Sequence, residues 1–309
     1  MLFLGGDLLV RSSVSLALRM QISTLVVGMT VVSFVTSAPE LFVSIQSALS
    51  GITDITFGNV IGSNIANITL VLGLTSIVFR INISSRTKNL YFPFMLIITF
   101  LFGFILYFFN EINSISGFFL VSLLLFFTIF LVRDSRKESL NNLDKQSLSK
   151  ISIYKTFLFM VVGILLLSFG ANFLIDGTVL IAKEFGFTER VISVSLVAFG
   201  TSIPELSTAL VAALKKEESL AVGNLIGSNI FNILAVLGIT SIIQPISLSQ
   251  FNNLAVTFLY HPLFTDFVWM LFATIILGIF IYFKSKNIIS RIEGVILFSL
   301  YLIFTYTLF

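Results

Sequence analysis

The chain has 309 residues, 57% of them hydrophobic and only 11% charged, where soluble domains carry roughly a quarter charged residues. A mean hydropathy of +1.05, with apolar runs of about 20 residues recurring along the chain, marks a polytopic helical membrane protein and excludes a β-barrel, whose strands alternate over about ten residues. The net charge of +3 reads as basic loops rather than a nucleic-acid partner; the lack of cysteine excludes disulfides and thiolate metal sites, and a single histidine, His261, excludes HExxH zinc chemistry.

In chain order the apolar runs predict spans over residues 1–20, 24–50, 56–79, 90–109 and 114–132, then 154–182, 189–213, 219–243, 264–283 and 291–308. The loops after the odd-numbered spans hold Arg19, then Arg80, Arg86 and Lys88, then Arg133, Arg136, Lys137, Lys145, Lys150 and Lys155. Lys215 and Lys216 follow, and finally Lys284, Lys286 and Arg291, which makes fifteen of the eighteen basic residues. Lys183 and Arg190 fall on the other side, and Arg11 lies within the first span. The positive-inside bias makes the basic side cytoplasmic and puts both termini outside. The one long hydrophilic stretch, RDSRKESLNNLDKQSLSKISI over 133–153, reads as a solvated cytoplasmic connector between two five-helix units, 1–132 and 154–309.

An offset of 165 residues superimposes the two units without a gap over about seventy residues. Thr36, Ser37, Pro39 and Glu40 fall on Thr201, Ser202, Pro204 and Glu205. Gly58-Asn59 and Gly62-Ser63-Asn64 fall on Gly223-Asn224 and Gly227-Ser228-Asn229, Asn67 on Asn232, and Gly73 on Gly238. Chance similarity between apolar segments matches Leu with Ile; it does not align this many polar residues. With five spans per unit the second copy enters the membrane from the opposite side, and such inverted repeats are a signature of secondary transporters.

The duplicated polar residues are the candidate site. A carboxylate deep in a bilayer is costly, and such residues usually line a pathway. Glu40 and Glu205 each follow a proline, which cannot donate to the carbonyl four residues back and so frees those of Val35 and Gly200. Thr36 stands one turn before Glu40 and Thr201 one turn before Glu205, so that each hydroxyl is predicted on its carboxylate's face. The following spans add Ser63 with Asn67 and Ser228 with Asn232. Carboxylates, hydroxyls, amide and backbone carbonyls form an all-oxygen set, which suits hard cations such as Ca²⁺. Two carboxylates match one Ca²⁺ or two Na⁺, and no Arg or Lys stands beside them near the midplane to receive an anion.

The remaining features read as structural. Gly58/Gly62 and Gly223/Gly227 have GxxxG spacing and serve close helix packing. GNVIGSN lacks the lysine and strand–helix setting of a phosphate loop. Asp7 and Asp176 stand outside the duplicated set and read as helix-end or packing groups, and His261 and Asp266 as boundary residues. No nucleophile–base pair suggests an enzyme.

TSAPELFVSIQSAL followed by GNVIGSNIANITLVLG, and GTSIPELSTALVAAL followed by GNLIGSNIFNILAVLG, resemble the two α-repeats of the cation/Ca²⁺ exchanger superfamily, nearest its prokaryotic sodium/calcium exchangers. The resemblance covers nearly the whole chain. It implies an all-α membrane protein of ten transmembrane helices in two inverted five-helix repeats, with the second, third, seventh and eighth spans forming the ion sites. Spans one and six would slide past the rest to alternate access. Glu40 and Glu205 would be the central carboxylates shared by Ca²⁺ and Na⁺. Thr36, Ser37, Thr201 and Ser202 would add hydroxyl or carbonyl oxygens, and Ser63, Asn67, Ser228 and Asn232 would complete the sites. The carbonyls of Ala198 and of its counterpart Ser33 would bind outer and inner Na⁺.

Three departures from the family pattern stand out. Val35 replaces the usual Gly, which stiffens the first break. Asn at both 67 and 232, where some relatives have Asp, argues against a potassium-dependent subtype. The first span begins about six residues before GGD, where the second copy has some fifteen apolar residues before GAN, so either the start is mis-assigned, the chain is truncated, or the outer part of the sliding helix is missing. The expected activity is Ca²⁺ export or import against Na⁺ in a prokaryotic inner membrane, with the lipid bilayer as surroundings, no cofactor and no evident protein partner. Ca²⁺/H⁺ exchange on the same scaffold, and a cation channel with a glutamate pair as filter, are the alternatives.

Overall fold

A chain in hydrocarbon must satisfy its backbone hydrogen bonds internally, and this one does so with helices. The computed structural model describes residues 1–141, 151–184, 200–248, 258–283 and 287–307. Helices α1 (Leu2–Met20), α2 (Thr24–Thr36), α3 (Ala38–Leu49), α4 (Thr53–Val78), α5 (Thr87–Phe109) and α6 (Ser114–Asn141) come first. They are followed by α7 (Ile153–Glu184), α8 (Ile203–Leu214), α9 (Glu218–Ile243), α10 (Pro262–Tyr282) and α11 (Arg291–Thr307).

Among the described residues, six helices are long and apolar enough to cross a bilayer: α4, α5, α9, α10 and the apolar parts of α6 and α7. The pair α2–α3, bent by 43°, makes a seventh. The other predicted spans are helical too, but fall short of that measure for visible reasons. Helix α1 carries Asp7, Arg11 and Arg19, and α11 has 17 residues. Of the 189–213 segment, the helix Ile203–Leu214 is described, while its start, including Ala198, lies outside the described residues. So do residues 142–150 of the connector; α6 runs on past residue 132 through Asn141. Helix α1, at 19 residues, is shorter than its counterpart α7, at 32.

The 165-residue offset holds in the backbone. Ala38–Leu49 corresponds end to end with Ile203–Leu214, and Thr53–Ala66 with Glu218–Phe231. Both α4 and α9 then pass into a π-helical turn, one beginning at Asn67 and the other at Asn232. Such turns widen a helix locally and recur at functional sites. Four two-residue strands, β1 (Ile81–Asn82), β2 (Glu111–Ile112), β3 (Ile246–Ser247) and β4 (Ile288–Ile289), form two antiparallel pairs, β1 with β4 and β2 with β3. Each pair stitches a loop of one unit to a loop of the other. Two residues are too few for an alternating pattern to show in the sequence.

Helices α4 and α9 form the centre: 89% and 83% of their apolar windows are buried by the rest of the chain, against 28% for α6 and for α7. Their neighbours present phenylalanines outward, among them Phe100, Phe104, Phe118 and Phe126, as a lipid-facing surface would. Helix α2 lies directly on α9, because glycine keeps the backbones close. A Cβ at Gly28 would come within 2.6 Å of the Leu220 carbonyl oxygen, and one at Gly223 would collide with that of Leu25. The Gly223/Gly227 spacing thus works as a close-packing device. At the start of α10, His261 caps the helix by accepting from the Leu263 N–H at 3.3 Å, with its Nε2 3.7 Å from Asp54 at the start of α4.

Candidate cation site

Both broken helices break at serine. Ser37 has φ −86° and ψ 6°, and Ser202 has φ −87° and ψ 1°, values that interrupt a helix without reversing it. Pro39 and Pro204 lie in the first turn after the break, where a proline's missing N–H would have found no helical partner anyway. Each proline therefore starts a new helix rather than kinking a continuous one, which refines the expectation drawn from sequence. The consequence falls on the next residue. Glu40 and Glu205 occupy the first turns of α3 and α8, where the free N–H groups and the helix dipole favour negative charge.

Both glutamates are fully buried, and none of their four carboxylate oxygens has a hydrogen-bond partner. The hydroxyls of Ser63 and Thr201 flank the Glu40 carboxylate, and Thr36 stands beside that of Glu205, without close hydrogen bonds to them. The pairing is crossed. Thr36 was expected on the face of Glu40, one turn away; the break at Ser37 turns it instead toward the other unit. Its Oγ1 lies 3.2 Å from Asn224 Oδ1 and 3.4 Å from Ser228 Oγ. The equivalent residue Thr201 lies 3.3 Å, hydroxyl to hydroxyl, from Ser63. The site is thus built by each unit reaching into the other.

Neutral oxygens complete the set. The hydroxyls of Ser37 and Ser202 and the side-chain oxygens of Asn67 and Asn232 are buried and unpartnered. Leaving polar atoms unpaired in a dry interior costs about 1–3 kcal/mol each, so a cluster of them points to a ligand that supplies the missing interactions. The carboxylate, hydroxyl and amide oxygens among them fit a hard cation, and Asn224 Nδ2 is the one unpartnered nitrogen on a described residue beside them. Among the described residues, no group of three or more His, Cys, Asp or Glu side chains gathers anywhere, and no ion pair reaches either glutamate. This pair is thus the one place among the described residues where two buried carboxylates without an ion-pair partner stand together.

The Ser33 side chain has a structural part. Its hydroxyl donates to the Gly28 carbonyl at 2.8 Å and to that of Asn224 at 3.0 Å, tying α2 to α9. Its own carbonyl accepts the Ser37 N–H at 2.9 Å and, more loosely, the Thr36 hydroxyl at 3.5 Å. A small pocket beside the site is lined by Val35, Thr36, Pro39 and Pro204 together with Ile164, Leu167 and Ser168, so α7 lies against the breaks.

Four asparagines overlooked as site residues also belong here. Asn59 donates to the Glu40 backbone carbonyl and to Ser44 Oγ, both at 3.0 Å, and so fixes the start of α3. Its counterpart Asn224 does not repeat this: the residue matching Ser44 is Ala209, and Asn224 turns to Thr36. Asn64 and Asn229 bond to Asn232 and Asn67 across the centre. The signal was present, since all four lie in the duplicated GNxxGSN runs.

These features define a class: a multi-pass, all-helical integral membrane protein with a buried carboxylate pair in an oxygen-rich setting, placed where two broken helices meet. Within that class, the chain belongs to the sodium/calcium exchanger protein family, whose sequence model matches residues 1–133 and 155–309. It is similar to the inner membrane protein YrbG of Escherichia coli (strain K12), with 33% identity over 78% of this chain and 76% of that one. The sodium/calcium exchanger MaX1 of Methanosarcina acetivorans is 29% identical over 99% of this chain and 94% of its own. Among solved structures, the sodium-calcium exchanger NCX_Mj superimposes with a TM-score of 0.81 at 27% identity, covering 100% of this chain and 95% of that one.

Proposed function

We propose that this protein is a secondary active antiporter that exchanges Ca²⁺ for Na⁺, with Glu40 and Glu205 as ligands shared by the two ions. The observation that carries this reading is the pair of fully buried carboxylates whose four oxygens lack partners, set among unpartnered neutral oxygens. Thr36, Ser37, Thr201, Ser202, Ser63, Asn67, Ser228 and Asn232 supply the neutral ligands, with backbone carbonyls at Ser33 and Ala198 for Na⁺. Family membership and likeness to exchangers of these ions support the choice of ions.

The mechanism follows from charge. Two carboxylates carry a charge of −2, which one Ca²⁺ or two Na⁺ neutralise. An uncompensated pair is too costly to carry through an apolar barrier, so the site changes sides only when loaded, and exchange is obligatory. We place the chain in a prokaryotic inner membrane as ten helices in two inverted five-helix units, 1–132 and 154–309, joined by a cytoplasmic connector, with both termini outside. The recurrence of elements at the 165-residue offset and the basic loops support that arrangement.

Uptake of radiolabelled Ca²⁺ into proteoliposomes under an imposed Na⁺ gradient tests the proposal. Flux driven by the Na⁺ gradient and lost in Glu40→Gln or Glu205→Gln is expected. Uptake indifferent to Na⁺ but driven by a pH gradient would establish proton coupling instead, and flux surviving either substitution would remove the glutamates from the site.

A further inference from the structure

The two amides expected as cation ligands, Asn67 and Asn232, can present either an oxygen or an N–H₂ to the site. Only the oxygen helps a cation. The hydrogen bonds at the far end of each amide decide which it is.

Asn67 Nδ2 donates to Asn229 Oδ1 at 3.1 Å, and Asn232 Nδ2 donates to Asn64 Oδ1 at 3.0 Å. The two bonds are equivalent under the 165-residue offset. In each, the ligand asparagine's nitrogen is taken up and its oxygen is left buried and unpartnered. The partners are themselves held one way round. Asn64 Nδ2 faces the backbone carbonyl of Asn229 at 3.4 Å and the Met270 sulfur at 3.6 Å. A carbonyl can only accept, so the Asn64 oxygen is left to face Asn232. Asn229 Nδ2 faces the Met95 sulfur at 3.7 Å, which is likewise an acceptor, and its oxygen faces Asn67.

We propose that Asn64 and Asn229 are positioning residues: each fixes the amide of the asparagine opposite, so that Asn232 and Asn67 turn oxygen, not nitrogen, to the cation. Met95 and Met270, on α5 and α10, hold the outer ends of this relay. The turn beginning at Asn232 packs on the helix that carries Glu40, and the turn beginning at Asn67 packs on the helix that carries Glu205. An amide released from its anchor would find the unpartnered carboxylates as acceptors, and its N–H₂ would compete with the cation for them. The inference rests on the cation-exchange reading of the site.

Equilibrium binding of radiolabelled Ca²⁺ to purified protein tests it without any coupling gradient. Asn64→Leu keeps the volume but removes the acceptor, and is expected to weaken Ca²⁺ binding about tenfold or more. Asn64→Asp in its neutral form keeps a carbonyl toward Asn232 and an O–H toward Asn229, and is expected to bind within about threefold of wild type. In an Asn232→Asp background either end of residue 232 is an oxygen, so the Asn64→Leu penalty should shrink to within about threefold. A purely structural Asn64 would give the same penalty in both backgrounds and no rescue by Asp. That result, or unchanged affinity in Asn64→Leu, overturns the inference. The same variants at Asn229, against Asn67, repeat the test if one protein does not fold. Wild-type protein that binds no Ca²⁺ would overturn the functional reading itself.

Discussion

The hydroxyl of Ser63 lies 3.3 Å from that of Thr201, although 138 residues separate them in the chain. Thr36 and Ser228 make the matching contact at 3.4 Å. Each pair joins a broken helix of one unit to the central helix of the other, beside a carboxylate. On the proposed reading, removing one hydroxyl takes away a cation ligand and frees its partner. Thr201→Val should therefore lower apparent Ca²⁺ affinity about tenfold while leaving the maximal exchange rate within about threefold. Coupling in a double-mutant cycle should appear for Ser63 with Thr201 and be absent for Ser63 with Thr36. Proteoliposome flux over a range of Ca²⁺ concentrations measures both.

Stability should respond to the cation through the same carboxylates. A ligand at a hundred times its Kd stabilises the folded protein by about 2.7 kcal/mol. Wild-type protein in detergent should therefore melt higher as Ca²⁺ is added. Glu205→Gln should elute as a folded monodisperse protein yet lose that shift, because half of the site's charge is gone. Retention of the full shift would show that Ca²⁺ stabilises the protein from elsewhere.

Much of this was legible in the sequence, and the part that was not has a common cause. Apolar length placed the helices, and the duplicated TSxPE and GNxxGSN runs located the buried residues, because a polar residue in hydrocarbon stands out locally. Which residue meets which did not show. Thr36 was assigned to Glu40 by helical spacing, but the break at Ser37 sends it across to Asn224 and Ser228. Asn64 and Asn229 matched by offset, yet their partners stand 168 and 162 residues away, beyond any local pattern. The proline was visible, but its neighbour decided its role: with Ser37 and Ser202 already leaving the helix, Pro39 and Pro204 begin the next one.

At the head of α9, burial holds the Glu217 carboxyl above its ordinary value of 4.5. The folded protein then holds this proton more tightly than the unfolded chain does. The stabilisation that results is fully present below pH 4.5 and is lost as pH rises through the raised folded value. Glu217→Gln removes the charge at every pH. It should raise the melting temperature at neutral pH, with the gain fading as pH falls toward 4.5. Thermal unfolding of both proteins from acid to neutral pH measures this; a gain independent of pH would assign the effect to packing instead.

Asp7 on α1 binds two cations at once: Arg11 on its own helix at 2.7 Å, and Lys215 just past the end of α8. Its side chain is 14% exposed, against 28% for Lys215 and 55% for Arg11, so the Lys215 pair is the better shielded of the two. Lys215 follows the helix whose first turn holds Glu205, so the pair ties α1 to the far end of a site helix. It does so beside a cavity of about 330 Å³ lined by Val10, Arg11, Val14, Ser15, Leu18, Ile151, Lys215 and Glu217. Asp7→Ala leaves two cations facing each other without their shared counter-charge, and should cost about 1 kcal/mol or more of stability. Lys215→Met removes one cation and leaves Asp7 paired with Arg11, so it should cost less. The double variant should be no worse than Asp7→Ala alone, since the repulsion between the two cations is also gone. Ca²⁺ affinity should stay at the wild-type value in all three, because the pair touches no residue of the cation site; a weakened affinity would show that α1 communicates with Glu205 through α8.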